Sequence, residues 1–230
     1  MNPLHLSAYV SLFIQFITGL FEATGLFFKV RPEDVIVQDI LTMELTVQVI
    51  EFCFYIYLVY RIVTGHLSSS ITSHRYLDWS LTTPTMLVSF MLFFKYLKQP
   101  ERKIRFFESI KEEQGNIIKV ILANALMLLF GFLGERGIIN QYLGVAIGFL
   151  PFAYMFKIVY ANYVKNNTLL SYFMFYFSFI VWGMYGIAAV LPFAPKNTFY
   201  NILDLFAKNV YGLFLYFYLR SIQVEEKQEE

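Results

Sequence analysis

The stretch 168–193, TLLSYFMFYFSFIVWGMYGIAAVLPF, decides the fold class because it runs for 26 residues without a charged side chain. A helix needs about 20 mainly apolar residues to cross the roughly 30 Å hydrocarbon core of a bilayer, so this stretch predicts a membrane-spanning helix. Six further runs of similar character lie on either side of it along the chain. Their ranges are 6–28, 36–63, 75–97, 116–134, 139–163 and 198–224.

These seven runs leave almost no sequence for a soluble domain. Hydrophobic residues make up 57% of the chain and charged residues only 15%, a balance typical of membrane proteins. We therefore predict an all-α bundle of seven transmembrane helices, with one domain over residues 1–224 and a disordered acidic tail over 225–230. The chain is then an integral, multi-pass membrane protein with the lipid bilayer as a partner, and its net charge of +1 argues against nucleic acid as another.

The Lys and Arg residues are distributed unevenly between the two ends of this predicted bundle. Thirteen of the 18 fall on the side of the C-terminus, whereas Arg61, Arg136 and Lys196 fall on the other side. The thirteen are Lys29, Arg31, Lys95, Lys98, Arg102, Lys103, Arg105, Lys111, Lys119, Lys157, Lys165, Arg220 and Lys227. Because positively charged loops stay in the cytoplasm, we expect the N-terminus outside and the C-terminus inside.

The seventh run contains charges that lipid would not tolerate. Asp204 and Lys208 are four residues apart and share a helix face, with Asn201 and Asn209 nearby in otherwise apolar sequence. One interpretation is a structural ion pair. The other is functional, since a Lys held at membrane depth can lose its proton and form a Schiff base with an aldehyde.

The third run also carries a polar stripe. Asp78, Thr82 and Ser89 fall on one side of a helix, and Arg75 lies one turn outward from Asp78. A carboxylate at this depth needs a cation to face, and Lys208 is the natural candidate. The alternative is a polar seam that only packs helices together.

The second run places Glu44, Gln48 and Glu51 on one face, because offsets of four and seven return to the same side of a helix. Two carboxylates on a membrane helix must face protein or water. A row of acidic groups along water is one way to build a cation path. Protonated Glu side chains bonded to neighbouring helices are the alternative.

Two motifs resemble those of the microbial, or type 1, rhodopsins. Residues 75–84, RYLDWSLTTP, resemble the third-helix signature of that family, and residues 204–208, DLFAK, resemble its retinal-lysine motif. The resemblance implies that Lys208 carries retinal as a covalent Schiff base and that Asp78 is the main counterion and proton acceptor. Asp204 would then be the second counterion and Arg75 a gate on the extracellular side, with Thr82 and Ser89 on the proton-transfer stripe.

The same resemblance implies a chromophore pocket. Its expected residues are Trp79, Thr83, Asn124, Met127, Gly131, Gly148, Phe149, Phe152, Trp182 and Tyr185. Asn124 stands opposite Thr83, where many relatives have an Asp, and Gly186 stands where the family commonly has a Pro. Ordinary aromatic core packing is the alternative, because aromatic residues make up 20% of the chain.

The spacing of Glu44 and Glu51, together with residues 208–212 (KNVYG) and the later Leu219-Arg220, resembles the channelrhodopsins. In these, helix-two acids line a pore and a central gate joins a Ser, a Glu and the Asn after the retinal Lys. That gate would be Ser11, Glu51 and Asn209 here, with Ser7 and Gln15 competing for the first position. The expected ion pathway therefore comprises Ser11, Glu44, Gln48, Glu51, Asn201 and Asn209.

The compact length and the triplet of Asp78, Thr82 and Ser89 are most similar to the first group of viral rhodopsins, which are described as light-gated cation channels. The sequence therefore predicts a photoreceptor that passively conducts small cations, including protons. A light-driven outward proton pump is the alternative, weakened because Ser89 replaces the usual second carboxylate. A photosensor that signals through a partner is a third. An enzyme is not expected, nor is a metal site, and homo-oligomerisation is left open.

Overall fold

The computed structural model describes residues 2–103 and 105–224, so the acidic tail predicted for 225–230 lies outside the described residues. Within these two ranges the chain forms seven long helices and no strand, which confirms the predicted all-α class. They are α1 (Pro3–Gly25), α2 (Val35–Val63), α3 (Ser70–Lys98), α4 (Phe106–Glu135), α5 (Gln141–Val164), α6 (Leu169–Ala189) and α7 (Phe193–Ser221). Each helix is long and apolar enough to cross a membrane.

Two of these helices contain a wider turn. The last five residues of α5, Tyr160–Val164, form a π-helical turn, and Leu205–Asn209 form another in the middle of α7. The second turn contains Lys208. Such turns are rare and frequently lie at functional sites.

Sequential helices pack against each other, and α1 packs against α7 to close the ring. Seven crossings place the two termini at opposite ends, which we call the N-terminal face and the C-terminal face. Helix α3 is the most enclosed, with 72% of its membrane-spanning window buried against 28% for α1 and α4. Polar residues on α3 are therefore positioned to contact several neighbours at once.

Several helix ends differ from the predicted ranges because of local capping chemistry. Helix α1 starts at Pro3 rather than residue 6: the side-chain oxygen of Asn2 accepts from the backbone N–H of Leu4 at 3.0 Å, and Pro is well suited to the first helical turn. Helix α4 starts at Phe106 rather than residue 116. Its charged first turns are fixed to α3 by ion pairs from Lys95 Nζ to Glu112 at 2.7 Å and Glu113 at 2.9 Å.

The boundary between α6 and α7 was also predicted wrongly. Residues 190–192, assigned to the sixth run, form the connection, and α7 begins five residues earlier than predicted. Pro192 disfavours helical geometry at the residue before it, which ends α6. Pro195 is tolerated in the first turn of α7, where its missing N–H would have no helical partner.

An ion pair between Lys196 and Glu135 fixes the start of α7 to the end of α4. The Nζ–Oε2 distance is 2.7 Å, and the two side chains are only 11% and 10% exposed. Because Glu135→Gln leaves the ammonium with a weaker partner, we expect the free energy of unfolding in detergent to fall by ~2 kcal/mol.

Glu108→Gln on the same helix is the matched control, since Glu108 pairs with Arg105 at 3.7 Å where both side chains are well exposed. Thermal unfolding followed by circular dichroism measures both variants. An equal loss of stability in the two would contradict the structural role of the Lys196–Glu135 pair.

Candidate functional site

The ammonium of Lys208 lies at the centre of the bundle, in contact with carboxylates from three helices. Its Nζ is 2.9 Å from Asp78 on α3, 3.1 Å from Glu51 on α2 and 3.9 Å from Asp204 on α7. All four residues are 6% exposed or less. Asp78 and Asp204 were expected beside Lys208 as its two counterions, whereas Glu51 was expected only in the ion pathway.

Arg75 balances part of this negative charge from the side of the N-terminal face. Its Nη1 donates to Asp204 at 3.0 Å, its Nε donates to Asn197 at 3.1 Å, and its Nη2 donates to Asn201. The hydroxyl of Tyr55 also donates to Asp204, at 2.8 Å. Arg75 is fully buried, so these bonds replace the water that a guanidinium would otherwise need.

A cavity opens beside Lys208 and has an almost wholly apolar lining. It reaches from Trp79 on α3 to Trp182 and Tyr185 on α6, and Lys208 forms part of its wall. Trp79 packs edge-on against Tyr185 at 5.5 Å and against Tyr200 at 5.0 Å between ring centroids. The predicted pocket residues that line it are Trp79, Thr83, Met127, Gly131, Gly148, Phe149, Phe152, Trp182, Tyr185 and Lys208.

Asn124 is the exception among the predicted pocket residues. It does not line the cavity, and its amide instead donates to Thr83 Oγ1 at 2.8 Å from behind the wall. The structure also accounts for Gly186. A Cβ at that position would lie 2.6 Å from Cζ of Phe149, so glycine leaves room for this ring against α6.

On the side of the C-terminal face, a cluster of amides continues the polar interior from Lys208. The Asn209 amide donates to Thr18 Oγ1 at 2.6 Å, to Gln48 at 3.2 Å and to Gln15 at 3.3 Å. Gln48 in turn donates to Gln15 Oε1 at 2.6 Å. This cluster joins α1, α2 and α7.

The predicted gate of Ser11, Glu51 and Asn209 is not assembled. Among the residues that the structure describes, no hydrogen bond joins any two of them, since Ser11 donates to the Asn201 carbonyl at 3.1 Å and Glu51 contacts Lys208. Asn209 lies on the C-terminal side of Lys208, whereas Ser11 lies about two turns away beside Asn201 on α7. Of the competing positions, Gln15 is the one that contacts Asn209.

The remaining predicted residues lie along the same interior. Glu44 is 2% exposed, and Ser89 is fully buried with its Oγ 2.9 Å from the Tyr211 hydroxyl. Thr82 donates to the backbone carbonyl of Asp78 at 3.0 Å rather than to the Asp78 carboxylate. The stripes predicted for α2 and α3 thus face the inside of the bundle.

Sequence reasoning missed several members of this interior. On α1 the buried residues Ser11, Gln15, Thr18 and Glu22 follow one helix face at spacings of four, three and four residues, and of these Thr18 and Glu22 were not named from the sequence. The same periodicity argument that identified the α2 stripe could have found them. Tyr55 continues the α2 stripe by one more turn and could have been found in the same way.

A buried Lys in a seven-helix membrane bundle, surrounded by carboxylates and open to an aromatic cavity, defines a retinal protein of the microbial rhodopsin type. A family model described as bacteriorhodopsin-like protein matches residues 7–222, so the chain belongs to that family. Proteins of this family act as ion pumps, channels or sensors rather than as enzymes.

Individual relatives agree with this assignment. A green-light absorbing proteorhodopsin from Gamma-proteobacterium EBAC31A08 is 26% identical over 237 residues, covering 94% of this chain and 88% of that protein. The crystal structure of viral rhodopsin OLPVRII superposes with a TM-score of 0.83 at 26% identity, covering 96% of this chain and 99% of that one. A thermophilic rhodopsin shares the fold with a TM-score of 0.74 at 20% identity, covering 98% and 95%.

The residues present fit retinal, which members of this family bind through a Schiff base to a lysine. Lys208 offers the amine, and the aromatic and glycine residues of the cavity offer an apolar wall for a polyene. When bound, retinal supplies light absorption and a light-driven change of shape. Asp78, Glu51 and Asp204 supply negative charge beside Nζ, which stabilises a positive charge on that nitrogen.

We expect Lys208→Ala to abolish the visible absorption band that forms when all-trans retinal is added, because no other lysine among the described residues lines the cavity. The measurement is an absorption spectrum of the purified protein with retinal. Lys165→Ala is the control, since Lys165 is exposed at the end of α5 and should leave the band unchanged. Survival of the band in the Lys208 variant would disprove the assignment of the chromophore lysine.

Proposed function

We propose that this chain is a light-gated channel for small cations, with its path between α1, α2, α3 and α7. The observation that carries the proposal is a column of buried polar side chains along these helices. On α1 alone it extends from the half-buried Ser7, which accepts a hydrogen bond from Asn201 at 2.8 Å, to the fully buried Glu22. Polar groups aligned along a membrane protein's interior mark an ion path.

The charge of the column favours cations. Five buried acids lie along it, whereas Arg75 and Lys208 are the buried bases that contact them. The acids are Glu22, Glu44, Glu51, Asp78 and Asp204. An excess of carboxylates over bases attracts cations and repels anions from any water that enters.

In this proposal, hydrogen bonds close the column at two levels. Towards the N-terminal face, Arg75 is bonded to Asn197, Asn201 and Asp204. Towards the C-terminal face, the amides of Gln48 and Asn209 are bonded across α1, α2 and α7. Such a network excludes a hydrated ion until its bonds are broken.

Lys208 couples the column to light in this proposal. Its Nζ contacts Glu51 at 3.1 Å, and the next residue along α7 is Asn209 of the amide cluster. A displacement of Nζ therefore releases Glu51 and strains the Asn209 bonds at the same time. With the C-terminal face in the cytoplasm, as the Lys and Arg distribution predicts, cations enter past Arg75 and leave past Glu44.

A light-driven outward proton pump is the second candidate. The 2.9 Å contact between Lys208 and Asp78 favours it, because this distance allows direct proton transfer from Nζ towards the N-terminal face. Glu44 is buried on the opposite side of Lys208 and could return a proton, a role that Ser89 cannot fill. The two candidates differ in whether current can flow against a gradient.

A light-evoked current–voltage curve in cells given retinal decides between them, with the sodium and proton gradients set independently. For a channel, we expect the current to reverse sign at a voltage that follows the cation gradient. An outward current that persists against the gradients would contradict the channel and support the pump. The absence of any current would contradict both and favour a sensor that signals through a partner.

Glu51→Gln tests the acid of the column that also contacts Lys208. Removing one carboxylate from the path weakens its attraction for cations, and we expect the sodium photocurrent to fall roughly tenfold, the effect of losing ~1.4 kcal/mol. Thr46→Val is the matched control, since Thr46 is an exposed polar residue on the same helix. A Glu51 variant with the same current and selectivity as the parent would remove Glu51 from the path.

A further inference from the structure

Glu22 and Glu44 occupy matching positions on two antiparallel helices. Gln48 Nε2 on α2 donates to Thr18 Oγ1 on α1 at 2.9 Å, so these two positions face each other. One helical turn further towards the C-terminal face, α1 presents Glu22 and α2 presents Glu44. Both residues are buried members of the facing sides of α1 and α2.

Both carboxyl groups are removed from solvent and incompletely bonded. Within the described part of the chain, Glu22 is 0% exposed and neither of its oxygens has a hydrogen-bond partner, while Glu44 is 2% exposed and its Oε1 has none. Buried polar atoms are nearly always hydrogen-bonded in folded proteins. Three buried oxygens without such a bond at one place therefore indicate a bound ligand or a proton.

Among the described residues, the groups that face the pair include no ion-pair partner for either carboxyl. Glu44 approaches Ser89 on α3, Tyr211 on α7 and the charge of Lys208. Glu22 has no cationic partner among the described residues, and it faces Gly212 on α7. A Cβ at Gly212 would overlap Oε1 of Glu22, so the glycine provides the space in which this carboxyl lies.

We propose that Glu22 and Glu44 form a carboxyl pair that holds one shared proton while the path is closed and binds the conducted cation when water enters it. Two ionised carboxylates in a dry interior repel each other strongly, whereas one proton between them turns repulsion into a hydrogen bond. In the open path one monovalent cation replaces one proton, which leaves to water, so charge is conserved. The cation half of this proposal rests on the proposed channel function, and the shared proton does not.

Infrared spectroscopy of the purified, retinal-loaded protein in the dark tests the shared proton. The carbonyl stretch of a protonated carboxyl differs from that of a carboxylate. We expect a carboxylic acid band that is lost or displaced in both Glu22→Gln and Glu44→Gln, because each change removes the other group's partner. Glu101→Gln, at an exposed loop position, should leave the band unchanged.

A Glu22→Gln spectrum identical to that of the parent in the carboxylic acid region would overturn the shared proton. Where Glu22→Gln fails to fold, judged by its visible absorption band, Glu22→Asp keeps the acid and shortens its reach. It should then displace the same band, and an unmoved band would again overturn the pair.

Reversal potentials of the same variants test whether Glu22 and Glu44 bind the conducted cation. We expect Glu22→Gln to lower the permeability to sodium relative to protons by roughly tenfold, with no change in Glu101→Gln. If the parent conducts and Glu22→Gln has the same reversal potential, the cation site is overturned. If the parent carries no passive current, the channel function fails, and the infrared result still decides whether the proton is shared.

Discussion

At the centre of the bundle no bulk water hydrates the Lys208 ammonium, and carboxylates from α2, α3 and α7 supply the compensating charge. An uncompensated charge at this depth would cost several kcal/mol, so these three helices must converge on one atom. That requirement fixes their rotation about their own axes. The stripes of polar residues above and below Lys208 follow, since a helix that turns one acid inward turns inward every residue on the same face.

The three carboxylates around Lys208 carry more negative charge than its ammonium balances. Three acids face one ammonium, and Arg75 adds one more positive charge through Asp204. The bonds from Tyr55 and Tyr185 to Asp204, both at 2.8 Å, distribute the remaining charge over hydroxyl groups of α2 and α6. Removing any one partner therefore affects the protonation of the others, as expected for strongly interacting sites.

Hydropathy and helix periodicity are local properties of the chain, so the sequence was sufficient for the seven helices and for the inward faces that carry Asp78 and Glu51. It did not predict the contact between Glu51 and Lys208. It was less reliable where two helices must be aligned. The gate of Ser11, Glu51 and Asn209 stays a prediction, and in this structure its members have other partners, since periodicity gives the face of a residue but not its height against a neighbouring helix. Glu22 was missed because a single acid in an apolar run has no second charge to mark its stripe, although Gln15 and Thr18 share its face.

The interior of the bundle is divided between two kinds of wall. The column of amides and acids lies on α1, α2, α3 and α7, whereas the aromatic cavity is built largely on α3 to α6, with glycines at Gly148 and Gly186. Lys208 belongs to both. Because of this division, substitutions of the cavity rings on α5, such as Phe149 and Phe152, change the surroundings of the chromophore and leave the polar column untouched. Tyr185 on α6 is different, since it lines the cavity and also donates to Asp204 at 2.8 Å. Under the proposed function, colour and conduction are then largely separable traits that meet at Lys208 and Tyr185.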